Sequence, residues 1–411
     1  MLYLSHTLPN GLRMVHFPDD GPVAYCGFAV NVGTRDESDK QHGLAHFVEH
    51  MLFKGTIHRK AWHILNSMDA AGGELNAFTT KEETFVYAVF LENAFEKAID
   101  LMADMIMNPT FPEKEMSKEA TIILDEIESY NDAPSELIFD DAEALLFQSY
   151  PMGRSILGTK KSVMSFSQDD LMSFHADHYS SDRMIFFSLG KTDFRKIIRW
   201  GEKYLLTLQP SKSPYQRLFP ERYVPTHHTV KKKTSQVHYI LGNRAYSMLH
   251  PNRMAFYLLN NILGGPGMNS RLNLALRERS GLVYNIESTF TSYSDTGTFF
   301  VYFATDPKHL GQCESLLKKN LTQLKDQPIT SHQLSKAKHQ LLGQLAIAAE
   351  NKENVALSFG RSMLHLGFYE SLNDIMAELT KVTPEDVQRV AQEIFNEEQF
   401  STLVYKTNKD S

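Results

Sequence analysis

The stretch HFVEHMLFKG (46–55) and the later stretch FYLLNNILGG (256–265) share one apolar pattern, each closed by glycine. Taking the second as a copy of the first organises this 411-residue chain. Three further pairs follow in the same order. The strand TFVYAVF (84–90), with the amphipathic helix after it, answers to TFFVYFA (298–304) and its helix. PEKEMSKEATIILDEI (112–127) answers to TSHQLSKAKHQLLGQL (330–345). SQDDLMSFHADHYSSDRMIFFSLGK (167–191) answers to TPEDVQRVAQEIFNEEQFSTLVYK (383–406), each opening on a Ser or Thr cap with an acidic first turn and ending in a strand. Between the copies, LQPSKSPYQRLFPERYVPTHH (208–228) carries four prolines and little periodicity. The expected architecture is therefore α+β, two duplicated α/β-roll domains, each a largely antiparallel sheet packed with helices. The boundaries fall at 1–210 for an N-terminal domain, 211–225 for a linker and 226–411 for its degenerate duplicate. Strands and long helices do not alternate strictly, which argues against a doubly wound parallel sheet.

Composition agrees with a globular chain too long for one core. Hydrophobic residues make up 42% and charged residues 22%. A formal net charge of −7 speaks against nucleic acid as the main partner, since phosphate binding needs a basic face. The longest basic run, Lys231-Lys232-Lys233, is a solvated strand end. Cys26 and Cys313 stand far apart and outside any Cys-x-x-Cys pair, which excludes a cysteine zinc site and a disulfide framework. The opening MLYLSHTLPNGLRMVHF has no apolar core or small-residue cleavage site, and no apolar run approaches the ~20 residues of a membrane span. A cytoplasmic protein without a membrane partner is the expectation.

The duplication supplies an internal control. His46, Glu49 and His50 become Phe256, Leu259 and Asn260 in the second copy, so the fold itself does not need them. On a helix over 44–54, His46 and His50 lie one turn apart on one face, where two imidazoles can grip one ion. Glu49 lies on the same side, able to reach a water on that ion without displacing a ligand. Zinc suits imidazole nitrogens with a carboxylate oxygen and keeps a position for water, whose proton Glu49 takes as general base. A third ligand is still needed. The helix Pro112 to Asp132 has an apolar stripe of Met116, Ile123, Ile127 and Tyr130, and Glu119 and Glu126 fall in it, with Asp125 and Glu128 turned toward solvent. A carboxylate there costs several kcal/mol unless a partner compensates. In the second copy Glu119 becomes Ala337 and Glu126 becomes Gln344. The two histidines and these two glutamates vanish together and constitute one site: Glu126 as third ligand, and Glu119 orienting a histidine or the water. His42, one turn before His46, belongs at the helix start in a capping or solvent role.

His-x-x-Glu-His is the inverted zinc-peptidase motif. With it the chain resembles the pitrilysin/insulinase family of metallopeptidases, in the branch that includes mitochondrial processing peptidase. The resemblance covers nearly the whole chain, including AGGELNAFTTKEETFVYAVF, YPMGRSILGT and NSRLNLALRERSGLVYNI. In that family the distal glutamate comes 76 residues after the second histidine, which is Glu126 here, and a further glutamate seven residues earlier is Glu119. The resemblance implies that an edge strand at Asn76, Ala77 and Phe78 pairs with an extended substrate backbone. It implies that Arg277 and Tyr284 serve the reaction from the second half, the tyrosine at the oxyanion and the arginine on the substrate backbone. From the residues alone, LRERSGLVY is a helix end running through Gly281 into a strand. GGPGMNSR (264–271) lacks the Gly-Lys-Ser/Thr ending of a phosphate loop.

The implied function is a zinc-dependent endopeptidase with one zinc per chain, hydrolysing extended peptides or unfolded segments. Family members enclose substrate in a chamber of four such domains. This chain has two, so a homodimer is implied. The competing reading is a non-catalytic scaffold or partner subunit, whose family members typically have broken motifs. A third, a zinc hydrolase of non-peptide substrates, is disfavoured by the extended edge strand.

Overall fold

Apolar and β-branched runs in the first half form a six-stranded sheet: β1 (Leu4–Thr7), β2 (Arg13–Pro18), β3 (Val23–Val30), β4 (Glu74–Thr79), β5 (Thr84–Leu91) and β6 (Met184–Gly190). The computed structural model describes residues 3–212 and 216–407. The strand order is β1-β2-β6-β3-β5-β4, and only the β2/β6 pair is parallel. β7 (His227–Lys232), β8 (Val237–Ala245), β9 (Val283–Ser292), β10 (Gly297–Thr305) and β11 (Ser401–Thr407) form the second sheet in the order β7-β11-β8-β10-β9. Its single parallel pair, β7/β11, stands where β2/β6 stands in the first. The duplication thus runs strand for strand, with β1 added in the first copy. The fold is α+β, in two units.

Nearly every residue of β3, β5 and β6 is buried, so the first sheet has two apolar faces to cover. One face packs against helices of the same half, among them Leu44–Met51, Phe95–Met107 and Gln168–His178, through Phe28, Val86, Phe47, Val48, Ile99, Met102 and Phe174. The other face is covered from the far half of the sequence. The helix Lys352–His365 lays Ala356, Phe359 and Met363 on Val15, Phe85, Ile185 and Phe187. Gly360 allows this approach: a Cβ there would sit 3.0 Å from the Phe187 ring. The second sheet is completed reciprocally. The helix Pro134–Leu146 and the turn after it pack Ile138, Leu146, Phe147 and Met152 on Ile240, Phe300, Tyr302, Leu403 and Tyr405.

This exchange revises the expected boundaries of 1–210 and 226–411. One compact unit takes in Met1–Glu128, Arg154–Arg217 and Ala349–Ser371, and the other Ser129–Gly153, Leu218–Ala348 and Leu372–Ser411. The physical reason is that a sheet apolar on both faces needs more cover than the helices of its own half provide. Of the expected linker, Ser213–Tyr215 lie outside the described residues. Arg217 within it is anchored, donating from Nε to Asp36 Oδ1 at 2.9 Å. Among the described residues no helix is long and apolar enough to cross a membrane.

Candidate metal centre and active site

The helix Leu44–Met51 buries Leu44, Phe47, Val48 and Met51 and presents His46 and His50 on its other face. Its start is tightly defined. Gly43 has φ +92°, and a Cβ there would stand 2.7 Å from the Gly158 Cα. The buried Glu37 carboxylate accepts the Gly43 N–H at 2.9 Å and the Ala45 N–H at 2.8 Å, which caps the helix. Burial pushes the Glu37 carboxyl up to about 8, against these two donors and Arg154. His42 is half-buried, with Nε2 3.0 Å from the Ser155 carbonyl, so it ties down the preceding loop instead of capping the helix.

Opposite this face runs the helix Glu113–Asn131. Glu126 Oε2 lies 3.8 Å from His46 Nε2, and its Oε1 lies 3.8 Å from His50 Nε2. One ligand atom from each of the three falls within 4.8 Å of the others. The His46 and His50 rings stand 4.5 Å apart. Two imidazole nitrogens and a carboxylate oxygen converging on one point make a donor set that fits zinc. Burial, and next the neighbouring His50, holds His46 down at about 3, so its ring is neutral at pH 7, the form that ligates metal.

The two glutamates of the second helix differ in environment. Glu119 is 4% exposed, as the apolar stripe implied, whereas the Glu126 side chain is 41% exposed and reaches the cluster from its rim. Glu119 Oε2 lies 3.2 Å from His50 Nδ1, and its Oε1 takes an ion pair from Lys54 at 2.7 Å. Lys54 was not singled out from sequence, although it lies one turn past His50 on the motif side. No equivalent backing exists for the other histidine: His46 Nδ1 is buried and lacks a hydrogen-bond partner among the described residues. Glu49 is 8% exposed, and its Oε2 accepts the Thr79 hydroxyl at 2.6 Å. Burial pushes the Glu49 carboxyl up, while Thr79 and then His50 pull it down.

Asn76, Ala77 and Phe78 lie on β4, opposite Tyr87, Val86 and Phe85 of β5. β4 is the last strand of its sheet. Phe78 turns to the face covered by Lys352–His365 and stacks on Phe85 at 4.9 Å, whereas Ala77 packs on the motif-helix side. The turn between β4 and β5 is charged, as the sequence says, but Lys81, Glu82 and Glu83 are only 4%, 1% and 4% exposed. Lys81 donates to the Arg154 carbonyl, Glu82 pairs with Arg35 and Arg217, and Glu83 with Arg361 and His365. Glu82, Glu83 and His365 cluster as metal ligands do, but these partners make them an ion-pair hub.

Arg277 and Tyr284 belong to the second unit. Arg277 sits in the π-helical stretch Asn273–Glu278, its guanidinium 5.7 Å from the centre of the exposed Tyr284 ring. Gly281 between them has φ +58°, the expected helix end. Where the second copy has Phe256, Leu259 and Asn260, the first two are buried and Asn260 donates to the Ser288 carbonyl at 3.0 Å. A cavity of about 500 Å³ there is lined by Asn260, Gln344 and Arg277 among others, with no histidine.

Comparison with known proteins agrees with this division. The sequence profile described as Insulinase (Peptidase family M16) matches residues 14–160, the part that holds the cluster. The profile described as Peptidase M16 inactive domain matches residues 165–341. Both halves are thus those of a metallopeptidase-type fold. An uncharacterized zinc protease of Bacillus subtilis is 33% identical over 404 residues, 97% of each chain. Another from Mycobacterium leprae is 33% identical over 396 residues, 95% of this chain and 88% of that one. The chain belongs to peptidase family M16, the insulinase family. A protease from Helicobacter pylori has the same fold, with a TM-score of 0.90 at 22% identity over 98% of this chain and 99% of the other.

Proposed function

We propose that the chain is a zinc-dependent endopeptidase that hydrolyses extended peptides or unfolded protein segments and works as a homodimer. The observation that carries this is the convergence of His46, His50 and Glu126 beside a buried Glu49, all absent from the second copy. His46, His50 and Glu126 would hold one zinc per chain, with Glu119 and Lys54 fixing the His50 ring. When bound, the ion supplies Lewis-acid activation of a water. Glu49 accepts the proton and passes it to the leaving amine. β4 offers its free edge at Asn76, Ala77 and Phe78 to the substrate backbone, which gives affinity with little demand on sequence. Arg277 and Tyr284 are assigned, through the family resemblance, to the substrate backbone and the oxyanion. The homodimer rests on the same resemblance, since a four-domain chamber needs two such chains.

The second reading, a non-catalytic scaffold, has in its favour the inactive-domain profile over residues 165–341. That profile lies outside the motif, and every motif position is intact. The test is zinc content together with hydrolysis of an unstructured peptide pool by the wild type and Glu49→Gln. One zinc per chain with cleavage by the wild type alone supports the peptidase; zinc-free, inactive protein favours the scaffold.

A further inference from the structure

The strand offered to substrate also touches the proposed base. Side chains alternate along β4, so Ala77 and Thr79 face the motif helix while Phe78 faces away. Thr79, the last residue of β4, bonds Glu49 Oε2 at 2.6 Å. The direction of that bond is fixed by the carboxylate, which can only accept. Thr84, opposite Thr79 in the β4/β5 ladder, places its hydroxyl 3.3 Å from that of Thr79 and donates its single proton to the Val32 carbonyl at 2.9 Å. Thr84 can then only accept from Thr79, and at 3.3 Å it is a weaker acceptor than the carboxylate at 2.6 Å, so the Thr79 proton goes to Glu49. Val32 and Thr84 are buried, so this arrangement has little freedom to turn.

We infer that Thr79 is a positioning residue for the reaction: its hydroxyl occupies Glu49 Oε2, fixes the carboxylate plane and leaves Oε1 to take the proton. This rests on the peptidase reading and adds to it a coupling. A substrate backbone paired along Asn76–Phe78 is registered by the same strand that holds the base, so docking and proton transfer share one frame. The second copy has threonines at the equivalent ladder positions, Thr291 opposite Thr298. There Leu259 replaces the glutamate, and Thr291 is exposed. The cross-strand threonine pair thus belongs to the hairpin in both copies. Its use in orienting a carboxylate belongs to the first alone.

The test compares Thr79→Val, which keeps the β-branched shape without the hydroxyl, with Thr79→Ser, which keeps the hydroxyl. Glu49→Gln and the wild type serve as controls. Zinc content, kcat and KM on one fluorogenic unstructured peptide, and crystal structures of the wild type and Thr79→Val are the readouts. Thr79→Val should keep its zinc and its KM and lose kcat by about 10- to 100-fold, the effect of one hydrogen bond to a charged group. Thr79→Ser should stay within about threefold of the wild type, and the Glu49 carboxylate should turn in the valine structure. Wild-type kcat in Thr79→Val, a loss confined to KM, or serine as impaired as valine would each overturn the assignment. If the wild type cleaves nothing, the peptidase reading fails by itself, and the crystal structures still decide: an unmoved Glu49 in Thr79→Val removes the positioning role.

Discussion

Replacing Glu83 by glutamine should cost the first unit a pH-dependent part of its stability. Burial alone would raise the Glu83 carboxyl, but His365 at 2.8 Å and Arg361 at 2.7 Å outweigh it and hold the group down at about 2, against an ordinary 4.5. At ~1.4 kcal/mol per pH unit, that difference is worth about 3 kcal/mol. A carboxylate with a depressed value stabilises the fold fully above pH ~4.5, and the contribution disappears as the pH falls through about 2. Glutamine mimics the protonated acid at every pH. The chain's two tryptophans, Trp62 and Trp200, both lie in the first unit, so their emission during urea unfolding reports that unit alone. The measurement is made with a chelator present, so that metal release does not contribute. Wild type and Glu83→Gln should differ by about 3 kcal/mol at pH 6, and the gap should close toward pH 2. A gap that stays constant with pH would refute the reasoning, because it would come from lost packing and not from the charge.

Phe359→Ala should lower the tryptophan-reported stability by about 3–5 kcal/mol, although Phe359 lies in the second half of the sequence. An unchanged tryptophan transition would remove Lys352–His365 from the first sheet. Gly43→Ala should lower the melting temperature and the zinc content together, since alanine strains φ +92° by about 1–3 kcal/mol and meets Gly158; a fully metallated, equally stable variant would show that the helix start tolerates the shift. Glu119→Ala should weaken zinc binding about 10- to 100-fold in competition with a chromophoric chelator, with His50 left unoriented. Wild-type affinity would reduce Glu119 to a packing role.

Much of this was legible because the sequence is written twice. The motif residues stand out against Phe256, Leu259 and Asn260, and the strand order of one sheet predicts that of the other. Local spacing carries such information: i and i+4 on one helix, seven residues along another, alternation in a hairpin. What it does not carry is which surface covers which. Nothing near Lys352–His365 says that its apolar face belongs to a sheet some 160 residues or more earlier, because an amphipathic stripe fixes a buried face and not its partner. The charged turn at Lys81, Glu82 and Glu83 misleads for the same reason: the partners of its glutamates are Arg35, Arg217, Arg361 and His365, all distant in sequence. Lys54 and Thr79 were visible as residues, but their contacts to Glu119 and Glu49 depend on where a helix and a strand meet in space.

The exchange of helices also sets a timetable for synthesis. All six strands of the first sheet and the residues His46, Glu49, His50 and Glu126 have been synthesised once Arg217 is made, yet the helix that covers the back of that sheet ends only at His365. At ~5–20 residues per second, the wait is on the order of 10–30 s. Through that interval Phe85, Ile185 and Phe187 present an uncovered apolar surface on the nascent chain. The intervening polypeptide is itself incomplete until Ser401–Thr407 supplies the strand between β7 and β8. The finished fold is therefore reached late and nearly all at once, and a chain stalled anywhere before residue 365 should be a client for chaperones and a target for degradation.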